Sequence, residues 1–559
     1  MTRATAASRQ SIIASLGRNV AKHPSKPFLE LELPNEKGAI SYLEIWNQAR
    51  RCGAQLVASG VKPGGIVLIF LPQGSSGLAY FIGAMMAGFV PSFMPLPSSK
   101  QDPARYWSAH GKLFDRISPA ALIANELHLG EMEANGLASD ATKFIAASAA
   151  GDFAPLDPVA AESEDTAFLQ HSSGTTGLKK GVMLSHGAVL RQIEAYREPL
   201  GATADDVVVS WLPVYHDMGL IACFVMPMVL GQTIVLLDPF HWVIRPGALF
   251  QAIHKHRGTL CWLPNFAFDH LANLVRPNAP SMGLRTMRAF INCSEPCQST
   301  SMSKFLERFA SLGVKPSMVG TCYAMAETVF AISQTKLERE GEHFMVVDRE
   351  ALQERGEIIS PQLGRPTTTL VSNGTPLPGM SVSVHDPDGE VLPEGRVGEL
   401  YVAADFLFSG YYRLPDLTTE RLRGGIYRTS DRGVLVGGEV YALGRMDDLL
   451  ILNGRNFHAA EIESLVGMVD GVKPGRNAAF AVFKIDSGSN ELIVVCERED
   501  PSKDDTIREN VRKIIFDALG LHPSNVHLVP PGWISKTSSG KLSRHANAEK
   551  YALEIGGRT

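Results

Sequence analysis

The sequence predicts an α/β protein. A large N-terminal domain of layered α/β subdomains carries a β-rich subdomain, and a small mobile α+β lid follows. Three observations predict this. Short apolar runs alternate with helical patterns through the first two thirds of the chain. From about residue 374, Gly, Pro and Asp punctuate short runs instead. From about residue 446 a separate strand–helix cycle begins, long enough for its own domain. At 559 residues the chain exceeds what one hydrophobic core usually supports. The expected division is 1–445 and 446–559, with the β-rich part at about 374–445 and an extra polar segment at about 334–372.

Taken in order, residues 66–71 read as a buried strand, 77–90 as a helix and 90–95 as a second strand. No charge occurs between Lys62 and Lys100, so this stretch resembles a membrane segment. Pro72, Gly74, Pro91, Pro95 and Pro97 break it, and its helical part is too short to span a bilayer. Strands are expected at 167–169 and 182–186, and a helix from 188. Further strands follow at 207–212, 233–237, 259–263, 289–293 and 317–319, with helices at 246–256 and 300–312. The β-rich part offers 381–384, 399–402, 434–436 and 440–442. The last segment offers strands at 449–452, 478–483, 491–495 and 526–529, with helices from 459 and 505.

Composition excludes several classes. With 45% hydrophobic and 20% charged residues the chain reads as soluble and globular. A net charge of −5 gives no footprint for nucleic acid. Seven scattered cysteines argue against a disulfide framework and for a reducing, cytoplasmic compartment. Cys293 and Cys297 sit four apart, but no second pair completes a zinc site. Residues 1–10 lack the apolar core of a secretory signal.

The most informative run is Ser172-Ser173-Gly174-Thr175-Thr176-Gly177-Leu178-Lys179-Lys180-Gly181. Its glycines let backbone approach a ligand closely, and its hydroxyls and lysines suit a polyphosphate. A Gly/Ser/Thr cluster is most often only a solvated loop. This one is not a Walker A loop either, because its spacing is wrong. Other clusters stand in a definite order. They are 211–220 (WLPVYHDMGL), 321–328 (TCYAMAET), 427–433 (YRTSDRG), 444–448 (GRMDD) and 535–542 (SKTSSGKL).

This ordered set resembles the adenylate-forming superfamily of acyl-CoA synthetases, luciferases and peptide-synthetase adenylation domains. The resemblance covers nearly the whole chain. It implies ATP and Mg²⁺ as cofactors and a lid that rotates about a hinge at Asp447. It implies that Ser172, Ser173, Gly174, Thr175, Thr176, Gly177 and Lys180 hold the β and γ phosphates, with Thr176 near the metal. Lys179 stands where the family usually has Pro. Ser294, Glu295 and Pro296 match the stretch that faces adenine. Tyr323 would stack on adenine, Glu327 would ligate Mg²⁺, and Asp431 would accept from both ribose hydroxyls. Arg445 would contact ribose or phosphate, and Lys541 would neutralise charge in the transition state. His216, Glu327 and Lys541 form the expected catalytic set.

His216 also narrows the substrate. Amino-acid-activating relatives carry Asp at that place, so an α-amino acid is not expected. The 211–220 run, Asn292-Cys293-Ser294-Glu295-Pro296, Ala326 before Glu327, and Asn453-Gly454-Arg455-Asn456-Phe457 resemble the fatty acyl-AMP ligases. The polar segment at 334–372 resembles the insertion by which those ligases restrain the lid, and Asp348 is expected to open a helix there. The acceptor would then be an acyl carrier protein thiol. The chain ends soon after Lys541, so a free-standing protein is expected. Segments 223–230 and 266–274 are candidates for an apolar tunnel. An acyl-CoA synthetase, an aryl or alicyclic acid, and a catalytically silent acyl/nucleotide-binding regulator remain as alternatives. No nucleic acid partner and no stable membrane insertion are expected.

Overall fold

A computed structural model describes residues 11–97, 103–137, 142–148, 153–172, 180–277, 282–337, 343–452, 455–484, 489–536 and 542–554. Among these residues the largest sheet has nine strands. Its middle is parallel, running through Pro27–Glu32, Thr233–Leu237, Val207–Ser210, Leu260–Leu263, Ala289–Asn292 and Val319–Ala324. Antiparallel strands close both edges, Lys37–Ser41 on one side and Ala331–Gln334 with Thr375–Pro376 on the other. The central strands are buried along their whole length, as strands covered on both faces must be. A four-stranded parallel sheet, Val90–Phe93, Ile66–Phe70, Ala121–Ala124 and Lys143–Ala146, lies earlier in the chain.

The stretch without charge resolves as expected into strand, helix and strand. Helix Ser75–Met86 is buried from Gly77 onward and sits in the main core. No helix among the described residues is long and apolar enough to cross a membrane.

The β-rich part is an antiparallel sheet of Ser381–His385, Gly398–Ala403, Ile426–Val436, Leu422–Arg423 and Glu439–Arg445. Beyond Arg445 the chain builds a second core. Residues from Leu450 to Val526 cluster apart from the main one, around helices Ala459–Val466 and Asp504–Leu519 and strands Val472–Lys484, Ser489–Arg498 and Asn525–Val529.

Three local expectations need correction. The strand placed at 317–319 begins only at Val319 and continues to Ala324, because Pro316–Met318 is a 3-10 turn with Pro at its start. Gln334 does not open an insertion. It is paired into the sheet, and its Oε1 accepts from the buried Tyr196 hydroxyl. The insertion itself is a hairpin, Phe344–Asp348 against Thr367–Val371. The helix expected at Asp348 is a single turn, Ala351–Arg355, capped where Asp348 Oδ1 accepts from the Ala351 amide.

Candidate functional site

Four parallel strands deliver their next residues to one edge of the large sheet. Val207–Ser210 leads to His216 and Asp217, Leu260–Leu263 to Asn265 and Phe266, Ala289–Asn292 to Ser294–Pro296, and Val319–Ala324 to Glu327. The carboxyl ends of parallel strands are where open α/β sheets form their crevices. Here the crevice is a cleft of about 1750 Å³. The β-rich sheet contributes Asp431 and Arg445, and residues beyond 446 contribute the opposite wall.

Asp431 and Arg445 face each other directly across the antiparallel pair Ile426–Val436 and Glu439–Arg445. The Arg445 guanidinium lies 3.9 Å from Asp431 Oδ1, and the Tyr323 hydroxyl donates to Asp431 Oδ2 at 2.6 Å. Burial pushes the Asp431 carboxyl up, and Arg445 and Tyr323 oppose that. Burial opposes the Arg445 charge, but Asp431 and Asp447 hold its pKa above the usual value. Arg445 Nε is buried with no partner among the described residues. A buried guanidinium N–H without an acceptor suits an anionic or hydroxyl-rich ligand at this point.

Glu327 sits on a 3-10 turn, Ala326–Thr328, just past the strand carrying Tyr323. Its Oε1 accepts from the Tyr411 hydroxyl at 2.7 Å. Lys180 stands 5.4 Å above the Tyr411 ring. Burial lowers the Lys180 pKa, and the Glu327 charge opposes this. Lys180 opens the strand Lys180–Ser185, which pairs with Thr166–Ser172. The two strands expected to flank the phosphate loop are therefore present. Ser173, Gly174, Thr175, Thr176 and Gly177 lie outside the described residues. Of Ser172 only the backbone, paired with Lys180, is described.

His216 lines the cleft with Nδ1 2.5 Å from Asp217 Oδ1. Asp217 also accepts from the Met218 amide and caps the π-helical segment Met218–Val225. Gly219 permits this tuck, since a Cβ there would stand 2.2 Å from the Pro213 carbonyl oxygen. Ser294, Glu295 and Pro296 line the cleft as well, and Glu295 Oε2 accepts from the Phe266 amide at 3.0 Å. Of the two candidate tunnel segments, 223–228 is packed into the main core, whereas Phe266 and Leu274 line the cleft. Phe266 closes edge-on against Trp211 and Trp242, which stack at 3.8 Å.

Three L-residues beside these side chains have left-handed backbone, Ser294 (φ 68), Val329 (φ 66) and Ser430 (φ 60). Positive φ is uncommon for any side chain and an outlier for a β-branched one. Such strain gathers where a structure must aim a group.

Lys541 lies outside the described residues. The residues that flank its segment, Lys536 and Leu542, form an antiparallel bridge and both line the cleft. The fully buried Asn547 ties the base of this segment together. Its Oδ1 accepts from the Ser535 amide, and its Nδ2 donates to the Ser535 and Ser543 carbonyls. Sequence reasoning missed this asparagine, which stands in no motif. It also missed Arg544, which donates to Glu463 through two nitrogens and to Asp448 at 2.6 Å. It missed His458 too, whose Nε2 accepts from Arg432 at 3.2 Å. Tyr427 stood inside a quoted motif but had no role, and Tyr411 had no signal beyond a Gly-Tyr-Tyr run.

A divalent metal has few fixed ligands here. No group of three or more His, Cys, Asp or Glu side chains among the described residues could hold one. A metal at Glu327 would need phosphate oxygens and waters to complete its shell, the usual arrangement for Mg²⁺. All seven cysteines are free thiols.

Residues 16–412 match the family model of the AMP-binding enzymes. The chain is 29% identical to a probable long-chain-fatty-acid–AMP ligase, FadD30, of Mycobacterium tuberculosis, over 97% of this chain and 98% of the relative. It is 30% identical to a putative fatty-acid–CoA ligase, fadD21, of Mycobacterium leprae, over 87% of each. A solved structure from work on fatty acyl-adenylate ligases of E. coli and L. pneumophila superposes with a TM-score of 0.90, at 23% identity and 99% coverage of both chains. At that identity the superposition speaks for the fold alone. With the family model covering well over half of its length, the chain belongs to the AMP-binding enzymes.

Proposed function

We propose that the protein activates a fatty acid with ATP and passes the acyl group to the thiol of an acyl carrier protein. The observation that carries this reading is one cleft lined by Lys180, Glu327, Tyr323, Asp431 and Arg445 and faced by Lys536 and Leu542, the neighbours of the Lys541 segment. The acid class rests on the relatives named as fatty-acid–AMP ligases.

In the first half-reaction the carboxylate oxygen attacks the α-phosphorus of ATP. The bond from that phosphorus to the bridging oxygen breaks, and pyrophosphate leaves. Tyr323 and the 294–296 segment hold adenine, and Asp431 and Arg445 hold ribose and phosphate. Lys180 and the run it ends hold the outer phosphates. Lys541 neutralises charge that develops on the α-phosphate and bridging oxygens, a preorganised electrostatic effect. Bound Mg²⁺ would add positive charge against the phosphates, and Glu327 is the residue that would hold it. In the second half-reaction a thiolate attacks the acyl carbonyl and AMP leaves.

A second observation favours a carrier protein over CoA. The 344–371 hairpin packs on the C-terminal region. The Arg349 guanidinium donates to the Ala518 carbonyl of helix Asp504–Leu519, and the turn Ala351–Arg355 lies against strand Arg455–His458. If thioester formation needs a rotated lid, these contacts make that state rarer. A small acceptor can recover it only through its differential affinity for the rotated state. A carrier protein has more surface to offset that difference.

The test is a parallel assay of fatty acids of several lengths, with CoA and with holo carrier protein. The expected result is acyl-AMP, transfer to the carrier, and little acyl-CoA. Arg349→Ala, or removal of residues 346–359, should raise CoA turnover without raising adenylation. Acyl-CoA made as readily as acyl-AMP by the intact protein would give the place to an acyl-CoA synthetase. No pyrophosphate exchange with any acid would give it to a silent binding protein.

A further inference from the structure

The side chain that hydrogen-bonds Glu327 comes from far along the chain. Tyr411 ends the short strand Gly410–Tyr411, which pairs with Lys180–Ser185 in the register Tyr411↔Val182. Its amide donates to Thr418 Oγ1 at 2.9 Å, so its backbone is fixed from the other side too. The ring is almost fully buried, and its hydroxyl reaches Glu327 Oε1 at 2.7 Å. A second phenol lies behind it, with the Tyr427 hydroxyl 3.1 Å from the Tyr411 hydroxyl.

A hydroxyl has one proton, and an ionised carboxylate can only accept. Tyr411 therefore donates to Glu327, and Tyr427 must donate to Tyr411. The Glu327 backbone is held as well, since its carbonyl accepts from the Phe408 amide at 2.9 Å. One carboxylate oxygen is thus engaged by protein, and none of the described residues engages Oε2. Chained donors polarise one another, and a carboxylate fixed by a hydrogen bond through one oxygen presents the other in a single direction.

We propose that Tyr411, backed by Tyr427, is a positioning residue for the metal ligand Glu327: it holds Oε1 so that Oε2 faces the nucleotide's divalent cation. The inference rests on the reading that Glu327 holds that cation. Tyr411 also links the two sides of the phosphate site, because the same ring lies under Lys180 and its strand pairs with the one Lys180 opens.

The experiment titrates Mn²⁺ into the full-length protein saturated with a non-hydrolysable ATP analogue and reads binding by calorimetry and electron paramagnetic resonance. Affinity for the analogue without metal serves as the reference. Tyr411→Phe keeps the ring under Lys180 and removes only the hydroxyl. It should weaken Mn²⁺ binding roughly 10-fold, the lower end of the effect of losing a ligand's hydrogen-bond partner, and leave metal-free analogue affinity within about 2-fold. Tyr427→Phe should weaken Mn²⁺ about 2- to 3-fold, and it serves alone if Tyr411→Phe does not fold. Glu327→Gln should weaken it more than either. Normal Mn²⁺ affinity in the tyrosine variants with loss in Glu327→Gln would overturn the inference and leave the metal reading standing. Normal affinity in Glu327→Gln would overturn the metal reading itself. Equal loss of metal and metal-free analogue binding in Tyr411→Phe would show a structural role only and would also overturn the inference.

Discussion

The two walls of the cleft are built differently. On the side of the large sheet, the polar groups hold each other across distant segments. Tyr323 bonds Asp431, Asp431 faces Arg445, Tyr427 backs Tyr411, and Tyr411 bonds Glu327. On the C-terminal side Arg544 binds Glu463 and Asp448 at once. Few polar bonds link the walls among the described residues. They include Arg432 to His458, Ser464 to Gln298 and Arg349 to the Ala518 carbonyl. The hydrophobic cores are separate as well. Each wall is thus complete in itself, and the ties between them are polar and replaceable. Such an arrangement lets one wall move as a body without either losing its core.

The comparison can be broken most sharply at Lys541, which the sequence sets between the cleft-lining Lys536 and Leu542. Lys541→Ala should reduce acyl-adenylate formation a hundredfold or more, about 3 kcal/mol of transition-state stabilisation, while ATP binding persists. Pyrophosphate exchange near the unaltered rate would remove Lys541 from the chemistry and make that wall a passive cover.

Arg544→Ala tests the internal clamp. Both partners are largely buried, and removing one member of a buried ion pair leaves uncompensated charge. The C-terminal region should lose about 3 kcal/mol and melt as a separate, earlier step in calorimetry, with the large region unchanged. One shared transition at an unaltered temperature would mean that the walls are not independent units.

A smaller effect sharpens the contrast through pH. Burial, with Arg432 and Arg544 adding to it, lowers the His458 pKa to about 4. In the large region burial lowers the His186 pKa to about 4, against the pull of Asp165. Both imidazoles stay neutral in the folded protein, while an unfolded histidine takes a proton near pH 6.5. Their stabilisation is therefore full above that pH and falls as pH drops from about 6.5 toward about 4. Each should cost on the order of 2 kcal/mol by pH 5. His458→Gln should flatten the pH slope of the C-terminal melt only, and His186→Gln that of the main melt only. A His458→Gln variant that flattened both slopes would merge the two regions.

How much of this was legible in the sequence depended on the kind of signal. Buried strands such as Ile66–Phe70 and Thr233–Leu237 declare themselves, because burial on both faces demands an unbroken apolar run. Hydroxyl-rich hairpin strands do not. Thr367–Val371 is half exposed and has no unbroken apolar run, so the hairpin it forms carries no strand signal in the sequence, and only the helical turn inside it does. Motif residues near a turn were found as a set, yet 427–433 lies inside one long strand with a bulge between Arg432 and Gly433. That bulge was invisible, because it depends on the partner strand. Tyr411, Asn547 and Arg544 were missed for a related reason. Each acts on a group distant in sequence, and only folding brings the partners together.

The left-handed residues at 294, 329 and 430 have a consequence for how the protein fails. A conformation of this kind costs on the order of 1–3 kcal/mol and persists only while its surroundings enforce it. The three belong to segments far apart in the chain, and each lies within two residues of a side chain that the proposed chemistry uses. Mild heat or low denaturant loosens local constraints before it breaks a core. Under such conditions the backbone at these points can relax to ordinary angles while both cores and the sheets persist. Inactivation would then precede unfolding, and recovery on cooling would require only that three short stretches of backbone be pressed back into shape.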